Sequence, residues 1–124
     1  MTRVTFRSLR PMLRTKDLPG TVRFWTDRLG FTCDGLSEED GWASLSRNGV
    51  GLMVATPNDH VPFDTPGFTG ALYFNVDDVE VLWADLKDRV EIAYPMEEFH
   101  YGMREFAIYD SNGYMLQFGT STRS

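Results

Sequence analysis

Residues 101–119, YGMREFAIYDSNGYMLQFG, carry the reading of the fold. Phe106, Ile108 and Tyr109 supply aromatic or β-branched bulk, Asn112-Gly113 supplies a turn, and Tyr114, Leu116 and Phe118 alternate with Met115 and Gln117. Asn and Gly both tolerate positive φ, so the pair suits a tight turn between two strands. A period of two gives each strand two distinct faces. The spacing therefore predicts a hairpin with Tyr114, Leu116 and Phe118 on one face and Met115, Gln117 and Gly119 on the other. The second face is the expected working face.

Upstream of the hairpin, Glu91 to Tyr94 reads as a strand, Asp78 to about Arg89 as a helix and Ala71 to Val76 as a strand. Residues 57–67 hold three prolines and Asn58-Asp59 and break all periodicity, which marks a linker. The same order of elements precedes it. Val4 and Phe6 alternate in a polar lead-in that suits an edge strand, and Leu9 to Arg14 reads as a strand. Asp17 stands as N-cap, with Pro19 in the first turn of a helix that runs to about Arg28. Val22, Trp25 and Leu29 fall at helical spacing, and Gly30 is the stop. A strand near Phe31 to Gly35 and an acidic turn over residues 37–41 follow, then a hairpin of Trp42 to Ser46 and Val50 to Ala55 across Asn48-Gly49.

The two halves match at an offset of about sixty residues, the mark of an internal repeat. Asp17 pairs with Asp78, Leu18 with Val79, Trp25 with Leu86, Asp27-Arg28 with Asp88-Arg89 and Leu29 with Val90. In the hairpins Asn48-Gly49 matches Asn112-Gly113, and Leu52 matches Leu116. Each half is a βαβββ unit whose sheet cannot bury both faces alone, so pairing of the units is the physical expectation. The fold class is α+β, with two tandem βαβββ modules in a single domain over residues 1–124: module 1 about 6–57, linker 58–68, module 2 about 69–120.

Hydrophobic residues make up 42% and aromatics 14%, enough for a packed core and too many for a disordered chain. The net charge of −6 argues against binding a phosphate backbone and favours cationic ligands near the surface. No apolar run is long enough to span a membrane and no signal segment opens the chain, so a cytoplasmic location is the expectation. A single cysteine, Cys33, makes neither an internal disulfide nor, alone, a thiolate metal site. There is no Gly-x-Ser-x-Gly elbow, no glycine-rich phosphate loop and no histidine beside Cys33. Asp and Glu fall mainly in turns, caps and helix faces, so no catalytic residue is assigned.

Three stretches carry a family resemblance: LRPMLRTKDLPGTVRFWTDRLGF (9–31), FNVDDVEVLWADLKDRV (74–90) and YGMREFAIYDSNGYMLQFG (101–119). Set in two tandem βαβββ units, over about residues 8–119, they resemble the vicinal-oxygen-chelate superfamily of glyoxalase I, extradiol dioxygenases and bleomycin-resistance proteins. Gly102-Met103-Arg104-Glu105-Phe106, followed by Asp110-Ser111-Asn112-Gly113, is most similar to bleomycin-resistance-like members. The resemblance implies a cupped mixed sheet with helices on its outer face, the cup holding a metal or a bulky ligand. Metal-using members place one ligand on each of four strands, typically two His or Gln and two Glu, and the matching positions here are Arg10, Met53, Ala71 and Gln117. Arg10 is effectively always protonated, Met53 is a soft thioether, Ala71 has no donor and only Gln117 could coordinate. A catalytic divalent site needs about three protein ligands and an open position, so neither a metal nor another cofactor is expected. Glu97, Glu98 and His100, with His60 in the linker, are the other ligand-type grouping, and their spacing matches no standard site.

Alternation from those four positions turns Ser8 and Met12, Gly51 and Ala55, Tyr73 and Asn75, and Met115 and Gly119 the same way. A small, apolar lining with one cation and two amides suits a small-molecule pocket. Trp42, Phe63, Phe68, Phe99 and Tyr101 are candidates for stacking, Phe99 and Tyr101 from a loop, whereas Trp25 and Trp83 read as core. The resemblance gives Tyr101 the place of the aromatic that helps hold a flat heteroaromatic drug tail, with Met103 inserted between Gly102 and Arg104. Arg104-Glu105 reads as an ion pair across the seam of the halves. The expected ligand-binding set is Arg10, Met12, Trp42, Met53, Tyr73, Asn75, Phe99, Tyr101, Met115 and Gln117.

The function this implies is metal-free sequestration of a bulky, partly aromatic compound, cationic ones included, without turnover, as in antibiotic resistance of the bleomycin type. The resemblance also implies a homodimer with its binding groove at the interface, and no nucleic-acid or membrane partner is expected. The alternative is a glyoxalase- or dioxygenase-like lyase or isomerase with a non-standard metal set. A third possibility is an interaction domain whose cup is filled by side chains.

Overall fold

The computed structural model describes residues 3–58 and 62–123. Strand β1 (Met12–Arg14) leads into helix α1 (Leu18–Arg23), which continues as a wider π-helical turn over Phe24–Arg28. Strands β2 (Thr32–Ser37), β3 (Trp42–Arg47) and β4 (Val50–Ala55) complete the first unit. The second repeats the order with β5 (Leu72–Asn75), α2 (Val79–Leu86), β6 (Glu91–Phe99), β7 (Met103–Tyr109) and β8 (Met115–Ser121). Each unit forms its own four-stranded mixed sheet, ordered β1-β4-β3-β2 and β5-β8-β7-β6. The first strand of each runs parallel to the last, and the other pairings are antiparallel. Both sheets carry their helix on one face.

Local chemistry sets these elements. The Asp17 carboxylate caps α1 by accepting from the Gly20 N–H at 3.0 Å, and Asp78 caps α2 by accepting from Val81 N–H at 3.3 Å. A Cβ at position 20 would lie 2.1 Å from Asp17 Oδ2, so the cap needs glycine there. Gly30, at φ +70°, ends the first helical segment. Leu18 and Val79, Trp25 and Leu86, and Leu52 and Leu116 are buried in pairs, as the repeat requires. Trp25 packs edge-on against Phe31, with centroids 4.9 Å apart, and both rings reach Phe74 of the second unit at 6.4 Å. The two units thus share one core on their helix sides. Trp83 packs on Phe106 at 5.0 Å, as its helical spacing suggested.

Four local expectations are corrected. The strand predicted over Leu9 to Arg14 starts only at Met12, because Pro11 has no N–H to extend the ladder and offers only its carbonyl, to Met53 N–H at 2.8 Å. The lead-in with Val4 and Phe6 forms no strand, and both side chains are exposed. The strand predicted over Glu91 to Tyr94 runs on to Phe99, its register shifting on either side of Tyr94 so that Pro95 is accommodated. Phe99 is therefore a strand residue, and only Tyr101 stands in the turn.

The two Asn-Gly pairs also differ. Asn48 and Gly49 both have positive φ (52° and 82°), as a two-residue hairpin turn demands. In the second hairpin only Gly113 does, at φ 98°. There Asp110 Oδ1 accepts from Asn112 N–H and Tyr114 N–H, both at 2.9 Å, and builds a wider loop. The Asn112 side chain reaches across to the first unit, where its Nδ2 donates to Thr21 Oγ1 at 2.9 Å and its Oδ1 accepts from Thr15 Oγ1 at 2.8 Å.

Candidate functional site

The face of each sheet away from its helix is open. In the second sheet, Phe106 and Ile108 of β7 point to the helix side and are fully buried, so Glu105 and Ala107 must point to the open face. Tyr73 on β5 pairs with Gln117 on β8, Gln117 with Ala107, and Glu105 with Gly119. These registers gather one polar cluster. Glu105 Oε1 accepts from the Tyr73 hydroxyl at 3.0 Å, and Oε2 accepts from the Tyr94 hydroxyl. Gln117 Nε2 donates to the Tyr94 oxygen at 2.9 Å. Glu105 is only 2% exposed, and burial at that level demands such donors. Gly119 makes the approach possible, since a Cβ there would stand 2.0 Å from the Tyr73 hydroxyl.

The tyrosines respond to this setting. Burial first, then the hydrogen bond to Glu105 and its charge, push the Tyr73 phenol from 10.0 up to about 12. The same causes, led again by burial, push Tyr94 higher, and Tyr101 is raised by desolvation and then by Glu105. At neutral pH all three phenols are protonated, and Tyr73 and Tyr94 act as donors to Glu105. Beside them Phe99 and Tyr101 stack at 5.5 Å with planes 10° apart, and Tyr94 meets Phe99 edge-on at 5.9 Å. An open groove of about 460 Å³ runs along β8 past Phe68, Ala71, Tyr109, Met115 and Gln117. Gln117 belongs to both groove and cluster.

The expected Arg104–Glu105 ion pair does not form, because neighbours on a strand face opposite sides. Arg104 lies on the α2 side, bonded through Nη1 to Glu80 and through Nη2 to Glu98 at 3.1 Å. On the first sheet Arg10 lies over Gly51, where an added Cβ would be 2.8 Å from Cζ, and donates to Ser44 Oγ at 3.1 Å. Met12 pairs with Met53 across the strands, and the Trp42 ring lies against Gly35. Among the described residues no hydrogen bond, ion pair or ring contact joins Arg10, Met12, Trp42 or Met53 to the cluster on the second sheet. Tyr73, Phe99, Tyr101 and Gln117 are brought together, with Met115 in the adjoining groove, and Asn75 is exposed at the end of β5. Glu105 and Tyr94 were missed. For Glu105 the signal was present, since it stands one residue from Phe106 and so on the face of Gln117.

The donor set at the four positions that the resemblance implies does not fit a divalent centre. A guanidinium, a thioether and a methyl group occupy three of the four positions, and the Gln117 amide is engaged with Tyr94. Among the described residues no three His, Cys, Asp or Glu side chains are grouped to hold a metal ion. Glu98 is taken by Arg104, His100 lies edge-on to Tyr101 at 5.4 Å, and His60 falls outside the described residues. Among the described residues no helix is long and apolar enough to cross a membrane.

The sequence matches the Glyoxalase/Bleomycin resistance protein/Dioxygenase superfamily over residues 7–118. No curated protein matches the chain. Solved structures share its fold. A protein of unknown function from Agrobacterium tumefaciens str. C58 is 22% identical with a TM-score of 0.77, over 95% of this chain and 96% of that one. A glyoxalase/bleomycin resistance protein/dioxygenase from Nocardioides is 19% identical with a TM-score of 0.77, over 98% and 89%. The bleomycin-binding protein of Streptomyces verticillus, complexed with copper(II)-bleomycin, is 23% identical with a TM-score of 0.67, over 98% and 99%. At these identities the likeness is one of fold.

Proposed function

Since this chain belongs to the glyoxalase/bleomycin resistance protein/dioxygenase superfamily, we propose that it is a binding member that sequesters a bulky, partly aromatic small molecule without turning it over. The observation that supports this best is the continuity of the second open face. A groove past Phe68, Ala71 and Met115 meets, at Gln117, a polar cluster backed by the Phe99–Tyr101 stack. A flat ring laid on such a wall gains roughly 0.5–1.5 kcal/mol per aromatic pair beyond area burial. The four strand positions that hold metal in other members offer one usable donor, so binding explains the residues better than metal-dependent turnover does.

We further propose a homodimer, a reading that the exposure of the sheet faces supports. Met12, Tyr73 and Tyr101 are 43%, 40% and 48% exposed, so each chain presents two uncovered sheet faces. Setting the first face of one copy against the second face of another would enclose the groove and bring Arg10 and Met53 toward the ligand.

Calorimetric titration of the metal-stripped protein with bleomycin, the ligand of the Streptomyces verticillus neighbour, is the direct test. Saturable heat at one drug per chain, weakened by salt, is the expected result. Metal-dependent turnover of a glutathione hemithioacetal would overturn it in favour of a lyase.

A further inference from the structure

Glu105 and Asp110 are the two buried carboxylates among the described residues. Asp110 Oδ1 accepts from backbone N–H groups of its own loop, while its Oδ2 is buried without a hydrogen-bond partner and does not line the groove along β8. Glu105 differs, because its charge is held only by neutral side chains. The Tyr73 and Tyr94 hydroxyls donate to it, Tyr101 stands by, and the adjacent cation, Arg104, is committed to Glu80 and Glu98 on the opposite face. We propose that Glu105, framed by Tyr73, Tyr94, Tyr101 and Phe99, is the seat of a protonated amine on the ligand, so that this protein takes alkylamines carrying an aromatic body in their cationic form. This rests on the small-molecule reading above and names the chemistry of one end of that molecule.

Three features fit an ammonium group. A buried carboxylate lacking a cationic partner is stabilised by one more than any exposed acid is, because water screens the charge little there. The Tyr73 hydroxyl spends its proton on Glu105, which leaves its oxygen lone pairs free to accept from N–H donors. The Tyr101 and Phe99 rings add faces over which a cation is attracted by the ring quadrupole. Glu105 itself is covered, but Tyr73 and Tyr101 beside it are both substantially exposed, so the amine approaches from their side. Reach is also set: Gln117 lines the groove and bonds Tyr94, so an aromatic body in the groove places its substituent at the cluster.

The test compares 1-naphthylmethylamine with 1-naphthalenemethanol, near-isosteric probes of which only the first is charged at neutral pH. Each is titrated by fluorescence into the full chain and into Glu105→Gln. The amine should bind the native protein about tenfold or more tighter than the alcohol, and Glu105→Gln should close that gap by weakening the amine alone. In the native protein the advantage of the amine should also vanish as pH rises through the amine's own pKa, a readout that holds even where Glu105→Gln does not fold. Equal affinity of amine and alcohol in the native protein, or a gap that survives in folded Glu105→Gln, overturns the cation site and leaves the small-molecule reading standing. Failure of both probes to bind brings down both.

Discussion

The Tyr114 hydroxyl satisfies both polar groups of the Arg14 backbone, accepting from its N–H and donating to its carbonyl, each at 3.0 Å. β1 is an edge strand with β4 on one side only, so a phenol from the other unit covers what would be an open edge. Tyr114→Phe should keep the ring's packing and lose both bonds. Leaving a part-buried N–H unpaired costs about 1–3 kcal/mol, to be read as a lower urea midpoint with an unchanged m-value.

Asn112 holds Thr15 and Thr21 from across the same seam. Asn112→Ala removes two side-chain hydrogen bonds and should destabilise by about 1–2 kcal/mol. The matching change in the first hairpin, Asn48→Ala, touches no other element and acts only through positive φ, so its effect should be smaller. A larger loss from Asn48→Ala in parallel urea melts would contradict the clip.

Gly119→Ala places a methyl group where the Tyr73 hydroxyl now sits. The phenol should be driven off Glu105, and its ionisation should fall from about 12 back toward 10.0, since burial and the carboxylate are what raised it. Spectrophotometric titration of tyrosinate reads this directly, and an unchanged high-pH ionisation would mean that Tyr73 had kept its place.

Asp110 is raised above 3.8, by burial first and against the backbone hydrogen bonds that oppose it. A folded-state value above the unfolded one means the contribution is fully present at low pH and lost as pH rises through the folded value. Asp110→Asn keeps an acceptor for Asn112 and Tyr114 but has no such loss. Its stability relative to the native protein should therefore climb from pH 3 toward neutrality, as urea melts across that interval would show.

Phe99→Ala with Tyr101→Ala removes the stacked wall. Tyr101 is 48% exposed, so the fold should survive with its cooperative transition intact while affinity for an aromatic ligand drops about tenfold. Unfolding without any change in affinity per folded molecule would make these rings core residues instead.

What the sequence disclosed was local. Asp17 and Asp78 cap helices within three or four residues of themselves, and Asn48-Gly49 turns a hairpin on its own, so spacing alone was enough. Asn112 has the same neighbours in sequence but works on Thr15 and Thr21, which no local pattern reveals. Pro95 and the Glu97-Glu98 pair disguised the far half of β6, and Pro11 cut short a strand whose apolar pattern ran on. At Glu105 a strong adjacent cue, the Arg104 charge, masked a weaker correct one, the two-residue period set by Phe106. Tyr94 joins the cluster only because β6, β7 and β8 lie side by side, a relationship set by the fold as a whole.

The Trp25–Phe74 packing, the Asn112 clip and the Tyr114 bonds all hold the two units together without calling on the segment between β4 and β5. That segment adds a Phe63–Tyr114 stack at 6.3 Å and an exposed Lys16–Asp64 pair, less than the shared core supplies. The chain offers itself as a split protein: two polypeptides, each ending within that segment, should find one another and reconstitute the fold, and the ligand groove with it would report their reunion.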